Sequence, residues 1–203
     1  MKAPGRTLLL LALAACALLA PARALACACC SNAGDYRTDF ARPSDHELSI
    51  MRQVRFGGTA QLYLTEADVE ESAVGLAHRA ESYALKGSLA GRAWRLEFRD
   101  GRQAGTLSLP LPAKMSSYAA DTRDGRTSPG GGPLLYKEWR FEGRAAGTGL
   151  FRAGLAASPA RYLLVLQGRG NGCQDAGDFT HWRLSIKGRK AEYAFYGQLA
   201  APE

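Results

Sequence analysis

From about Ser82 onward, apolar residues recur at every second position. Tyr83, Leu85 and Leu89 alternate with Ser82, Lys86 and Ser88. Trp94, Leu96 and Phe98 alternate with Arg95, Glu97 and Arg99, and Leu107, Leu109 and Leu111 alternate with Thr106 and Ser108. Trp182, Leu184 and Ile186 repeat the pattern against Arg183, Ser185 and Lys187. One apolar and one wet face is the signature of antiparallel sheet. The turn-forming pairs Ala90-Gly91, Asp100-Gly101, Glu142-Gly143 and Gly188-Arg189 separate these runs at hairpin spacing. The pattern predicts nine strands, at 59–65, 82–90, 93–99, 104–109, 134–143, 147–153, 161–167, 179–186 and 191–198. Strands met in this order predict a mainly β, single-domain antiparallel up-and-down barrel, because closure removes exposed edges. A two-sheet β-sandwich is the alternative.

The segment before the strands has a different character. Residues 27–43 lack periodicity and read as an extended arm. Ser44-Asp45-His46-Glu47 has the S-x-x-E form of a capping box, in which Ser and Glu each satisfy the other's free backbone N–H. Leu48, Ile50, Met51 and Val54 follow at helical spacing, so one short amphipathic helix is predicted over 45–56, ended by Gly57-Gly58. A second helix is expected over 66–76, with Thr65 as its cap and Gly75 near its end. Residues 122–133 are too rich in Gly and Pro for regular structure and read as a flexible loop, either a connector or a lid over a barrel mouth. The β-rich domain thus runs over 44–203.

Residues 1–26 read as a secretory signal peptide: Lys2 and Arg6, an apolar run over 7–20, the helix breaker Pro21, then Ala24 and Ala26 at the positions a signal peptidase accepts. The protein is therefore expected to be exported, periplasmic or extracellular. Leu13-Ala14-Ala15-Cys16 reads as a lipobox, so a lipid anchor on Cys16, or on Cys27, is the alternative. Removal of 26 of the 203 residues leaves 177, enough for one domain with a core. The leader carries Lys2, Arg6 and Arg23 and no acid, so the net charge falls from +7 to +4. The remaining basic residues are scattered, as Arg92, Arg95 and Arg99 illustrate. They lack the one-sided clustering with aromatic stacking of a nucleic-acid interface, and no nucleic-acid partner is expected. After the leader no segment has the length and apolarity of a transmembrane helix.

The cysteines are the most distinctive chemistry. Cleavage after Ala26 exposes Cys27, Cys29 and Cys30; Cys173 is far along the chain, in the glycine-rich stretch 168–177. In an oxidising compartment thiols pair. A Cys29–Cys30 bridge between adjacent residues is geometrically poor, so a disulfide from Cys173 to one of Cys27, Cys29 and Cys30 is expected. It would close a loop of roughly 140 residues and restrict the unfolded chain accordingly. Two thiolates then remain, beside a free α-amino group, a donor set that suits copper(I) or zinc(II) or a readily exchanged disulfide. Cys27, Cys29 and Cys30 are thus candidate metal ligands, with His46, His78 and His181 as distant candidates for nitrogen donors.

Other constellations are weaker. Asp175, Asp178 and His181 lie near Cys173, but Asp178 is placed to turn the chain and His181 falls on the wet face opposite Trp182, so no catalytic residue is nominated. The acidic run Glu66, Asp68, Glu70 and Glu71 reads as a solvated helix face, with cation binding as its alternative. Trp94, Phe98, Trp139, Phe141, Trp182, Tyr193 and Phe195 concentrate on strands. They either fill the barrel or line a cavity for a small apolar ligand. The sequence as a whole points to an exported, disulfide-stabilised barrel acting as a small-ligand-binding or structural module. The alternative is a thiolate metal-handling or redox protein built on the Cys27/Cys29/Cys30 cluster.

Overall fold

The computed structural model describes residues 31–63, 73–101, 103–123 and 135–200. In chain order these form β1 (Tyr36–Ala41), α1 (Asp45–Gln53), β2 (Arg55–Leu62), β3 (Ser82–Ala90), β4 (Ala93–Asp100), β5 (Gln103–Pro110), β6 (Met115–Ala120), β7 (Leu135–Gly149), α2 (Arg152–Ala157), β8 (Ala160–Gly170), a 3₁₀ turn (Ala176–Asp178), β9 (Phe179–Gly188) and β10 (Ala191–Ala200). All strand pairings are antiparallel. Strands β2, β3, β4, β5, β7, β8, β9 and β10 follow one another around a closed ring, with β10 returning to β2. The architecture is the predicted antiparallel up-and-down barrel, closed by eight strands where nine were expected along the chain.

β1 and β6 lie outside this ring. β7 is long enough to serve two sheets: its second half pairs with β5, from Ala146 to Gly149, while its first half, Tyr136 to Arg140, pairs with β6. β6 in turn pairs with β1, making a flap that projects from one end of the barrel. α1 packs at this same end, where β2 begins and β3 ends. α2 and the turn at 73–76 close the opposite end, where Gly154 approaches Gly75 and Val74 bridges Glu192.

The barrel interior is an aromatic core. Phe56 stands edge-on to both Trp94 and Trp182, with ring centroids 5.5 and 5.4 Å apart. Phe98 contacts Phe195 at 4.8 Å and Phe151 at 5.0 Å, and Tyr83 packs on both Phe98 and Phe195. All seven strand aromatics singled out from the sequence are buried. Their spacing is that of mutually packed rings, so the space inside the wall is taken by side chains.

Several boundaries differ from expectation for physical reasons. The predicted capping box is present: Ser44 Oγ accepts from the Glu47 N–H at 3.2 Å and Glu47 Oε2 accepts from the Ser44 N–H at 2.8 Å. The helix stops at Gln53 rather than 56, because Arg55 folds its guanidinium back onto the carbonyls of Arg52 and Val54 and Phe56 turns into the core. Gly57-Gly58 is then not a helix stop. It lies in β2, opposite the register shift in β10. The expected hairpin at Glu142-Gly143 is absent, and β7 runs straight through it. A side chain at Gly143 would strike the Tyr162 ring at 2.8 Å, so this glycine makes room for packing rather than a turn. The strand expected at 147–153 is the end of β7 followed by α2. Of the helix expected over 66–76, residues 66–72 lie outside the described residues, while 73–76 form a turn. Most of the 122–133 loop, from 124, also lies outside them.

Candidate functional site

Among the described residues the buried charged side chains, Asp121, Lys137 and Glu138, all lie at the flap end. On β7, Leu135, Lys137, Trp139 and Phe141 share one face, and all four are buried. Lys137 is thus a cation placed in an apolar phase. Its ammonium donates to Asp178 Oδ2 at 2.6 Å and to the backbone carbonyl of Cys173. These two contacts fasten the loop between β8 and β9 to the barrel wall.

The loop is shaped to receive that lysine. Asp175 Oδ1 accepts from the Gly177 N–H at 2.8 Å, and Asp178 Oδ2 accepts from the Asp175 N–H at 3.2 Å. The Asp178 carboxylate lies directly on the backbone of β8: a Cβ at Gly170 would sit 2.0 Å from its Oδ1. Only glycine leaves that space. Next to the pair, Trp139 and Phe179 stack with centroids 4.4 Å apart.

A cleft of about 240 Å³ opens between the flap and this loop. Trp139, Phe179 and Leu135 supply its apolar lining, and Arg37, Asp39, Ser117 and Gln174 are among its polar residues. Gln174 Oε1 is buried and accepts no hydrogen bond among the described residues. Among the described residues the other two buried polar atoms in that condition, Trp94 Nε1 and the Tyr193 hydroxyl, belong to residues of the aromatic core.

The arm that leads into β1 is clasped at the same end. Ser31 Oγ donates to Asp121 Oδ2 at 2.6 Å. Arg123 forks onto the same carboxylate, with Nε 2.9 Å from Oδ1 and Nη2 2.6 Å from Oδ2, and also reaches the Ser31 carbonyl at 2.9 Å. The Arg123 guanidinium first, and the Ser31 hydroxyl second, hold the Asp121 carboxyl well below the usual carboxylate range. On the other face of the flap the Tyr136 hydroxyl donates to Glu138 Oε2 at 2.6 Å. Burial, then that carboxylate, push Tyr136 up to about 12.

The predicted site residues are placed as follows. Cys16, Cys27, Cys29 and Cys30 lie outside the described residues. Cys173 is on the exposed loop and is engaged rather than free. The three histidines are not brought together. His46 is exposed on α1, His78 pairs with Asp100 at 2.7 Å, and His181 Nδ1 lies 2.8 Å from Thr180 Oγ1. Asp178 is committed to Lys137, so it does not join His181 and Cys173 in a nucleophilic set. Among the described residues no group of three or more His, Cys, Asp and Glu side chains is arranged to hold a metal ion. The acidic run 66–71 is outside them. Sequence reasoning missed Lys137, although its position two residues from Leu135 and Trp139 marks it as a charge on the buried face. Gln174, Asp121 and Arg123 left no such signal.

No protein-family model matches the chain, and no curated protein and no solved structure shows significant similarity to it. Among the described residues no helix is long and apolar enough to cross a membrane.

Proposed function

We propose that this chain is an exported, disulfide-stabilised binding module that takes a small ligand in the cleft between the flap and the 171–178 loop. The interior aromatics leave no need to seat the ligand inside the wall. The observation that carries the reading is the orphaned Gln174 Oε1 beside the Trp139–Phe179 stack. A buried acceptor without a donor costs about 1–3 kcal/mol, and a ligand N–H or O–H would recover that cost. The ligand class is therefore compact, with an apolar face for the two rings and one donor for Gln174. The volume falls slightly below the usual range for drug-sized ligands, roughly 300–1,000 Å³.

In the same reading the leader 1–26 is removed and Cys173 pairs with one of Cys27, Cys29 and Cys30. Two observations support this pairing. Cys173 is not free, and Ser31, the neighbour of Cys30, lines the same cleft as Gly172 and Gln174 on either side of Cys173. The test is a thermal-shift screen of small aromatic alcohols, amines and amides on protein exported by its own leader, its mature N-terminus and disulfide checked by intact mass. A hit is expected to raise Tm in the parent and to lose that effect in Gln174→Leu and Trp139→Leu. No hit, or a hit indifferent to both substitutions, removes the reading.

A further inference from the structure

Among the described residues the flap ends in an open edge. β1 pairs with β6 on one side, and five of its six residues are exposed. The alternation of the ladder fixes which groups face outward. The Asp121 N–H donates to the Asp35 carbonyl at 2.8 Å, and Asp35 and Asp121 continue the β1–β6 register. Counting on by twos, Arg37, Asp39 and Ala41 address β6, and the N–H and C=O groups of Tyr36, Thr38 and Phe40 point away from it. Edges of this kind normally carry a proline, a bulge or an unbalanced charge. β1 has none of these: its sequence is Tyr-Arg-Thr-Asp-Phe-Ala, with one cation and one anion.

That sequence is complementary to itself. Two copies run antiparallel about Thr38 bring Arg37 of each opposite Asp39 of the other, and Tyr36 of each opposite Phe40 of the other. Centring on Arg37 or on Asp39 instead stacks like charges. Among the described residues neither Arg37 nor Asp39 has an ion-pair partner within the chain. The Thr38-centred register also matches the ladder. It joins the outward-pointing residues Tyr36, Thr38 and Phe40 to Phe40, Thr38 and Tyr36 of the second copy, giving about six backbone hydrogen bonds. Arg37 and Asp39 then fall at the non-hydrogen-bonded positions, where facing side chains come closest. On the aromatic face Tyr36 is 71% exposed and Phe40 64% exposed, and Tyr118 on β6 adds to the same face. Lys114 stands 5.5 Å over the Phe40 ring.

We infer that two copies of this chain associate edge to edge through β1, antiparallel and two-fold symmetric about Thr38. The contact is isologous, so it closes at two and does not propagate. It also sets the two clefts side by side, since Arg37 and Asp39 line them.

The test is sedimentation velocity of the mature, disulfide-intact chain across a range of concentrations. The parent is expected to show a reversible dimer. Arg37→Asp and Asp39→Arg each place like charges together twice, and each is expected to weaken the dimer about tenfold or more. Mixed in equal amounts, these two variants are expected to form a heterodimer in which every facing pair is opposite again. Misfolded variants could not do so. Thr38→Pro removes an outward donor without touching the β1–β6 ladder and is expected to give a folded monomer. A parent that stays monomeric at all concentrations overturns the inference. So does a dimer that survives Thr38→Pro, because it would use another face.

Discussion

The two ends of the barrel are closed in opposite ways. At the α2 end the seal is apolar and intimate. Phe151 is fully buried among Phe98, Tyr193 and Phe195, Gly154 lies against Gly75, and the Ala77 N–H reaches the Leu150 carbonyl at 2.9 Å. At the flap end α1 buries Ile50 and Met51, and directional polar contacts are added to that cover: Lys137 on Asp178, and Arg123 with Ser31 on Asp121. A buried ion pair holds one arrangement and is costly to disturb. The α2 end therefore supplies stability, and the flap end supplies a defined shape around a cleft.

The sharpest way to break this contrast is to empty the apolar end. Phe151→Ala removes a ring that touches three other aromatics and is expected to cost about 3–5 kcal/mol. For a domain of this size that lowers Tm by roughly 10 °C. Differential scanning calorimetry checks the loss. Affinity for any cleft ligand is expected to stay within about twofold of the parent at temperatures where the variant is folded. A large fall in affinity with little fall in Tm would reverse the assignment of the two ends.

Next in size is Lys137→Met. It leaves Asp178 partly buried without its cation and the Cys173 carbonyl without its donor. The expected cost is about 2–3 kcal/mol, below the range for fully buried pairs because some of Asp178 still reaches water. Its signature is local: amide exchange should accelerate over 171–178 well before it does in β3 or β4. Uniform acceleration across the barrel would show that the lysine serves general packing alone.

The barrel ring was legible in the sequence wherever one face of a strand is wet. Trp94, Leu96 and Phe98, or Trp182, Leu184 and Ile186, repeat every two residues and are buried in that phase. The flap was not legible for the same reason. β1 is exposed on both faces and β6 is mostly half-buried, so neither carries an alternation. Gly143 misled because a glycine that admits the Tyr162 ring and a glycine that turns the chain are spelled alike. The cleft is harder still. Its parts come from the arm, β6, β7 and the loop before β9, and only their meeting defines it. Lys137 is the part that could have been read, as a charge in register with buried residues.

The smallest effect, and the most specific to the flap end, is acid release of the arm. The Asp121 carboxyl is held below its unfolded value, chiefly by Arg123 and then by Ser31. A depressed folded pKa means that the unfolded chain binds the proton more readily than the native one does. The contribution of Asp121 is therefore fully present above about pH 4, the unfolded carboxylate value. It is lost as pH falls from there through the lower folded value. Ser31→Ala removes one of the groups that depress it, so the contribution is smaller and its loss, still starting near pH 4, is complete at a higher pH than in the parent. Amide exchange of the segment around Gly34 and Asp35, followed from pH 6 to pH 2, reads the effect, because Gly34 donates to the Asp121 carbonyl at 3.0 Å. Asp121→Asn should abolish the pH dependence of that segment and leave α2 unmoved. Acid protection of the arm that is unchanged in both variants would mean that the Asp121 carboxylate does not hold the arm.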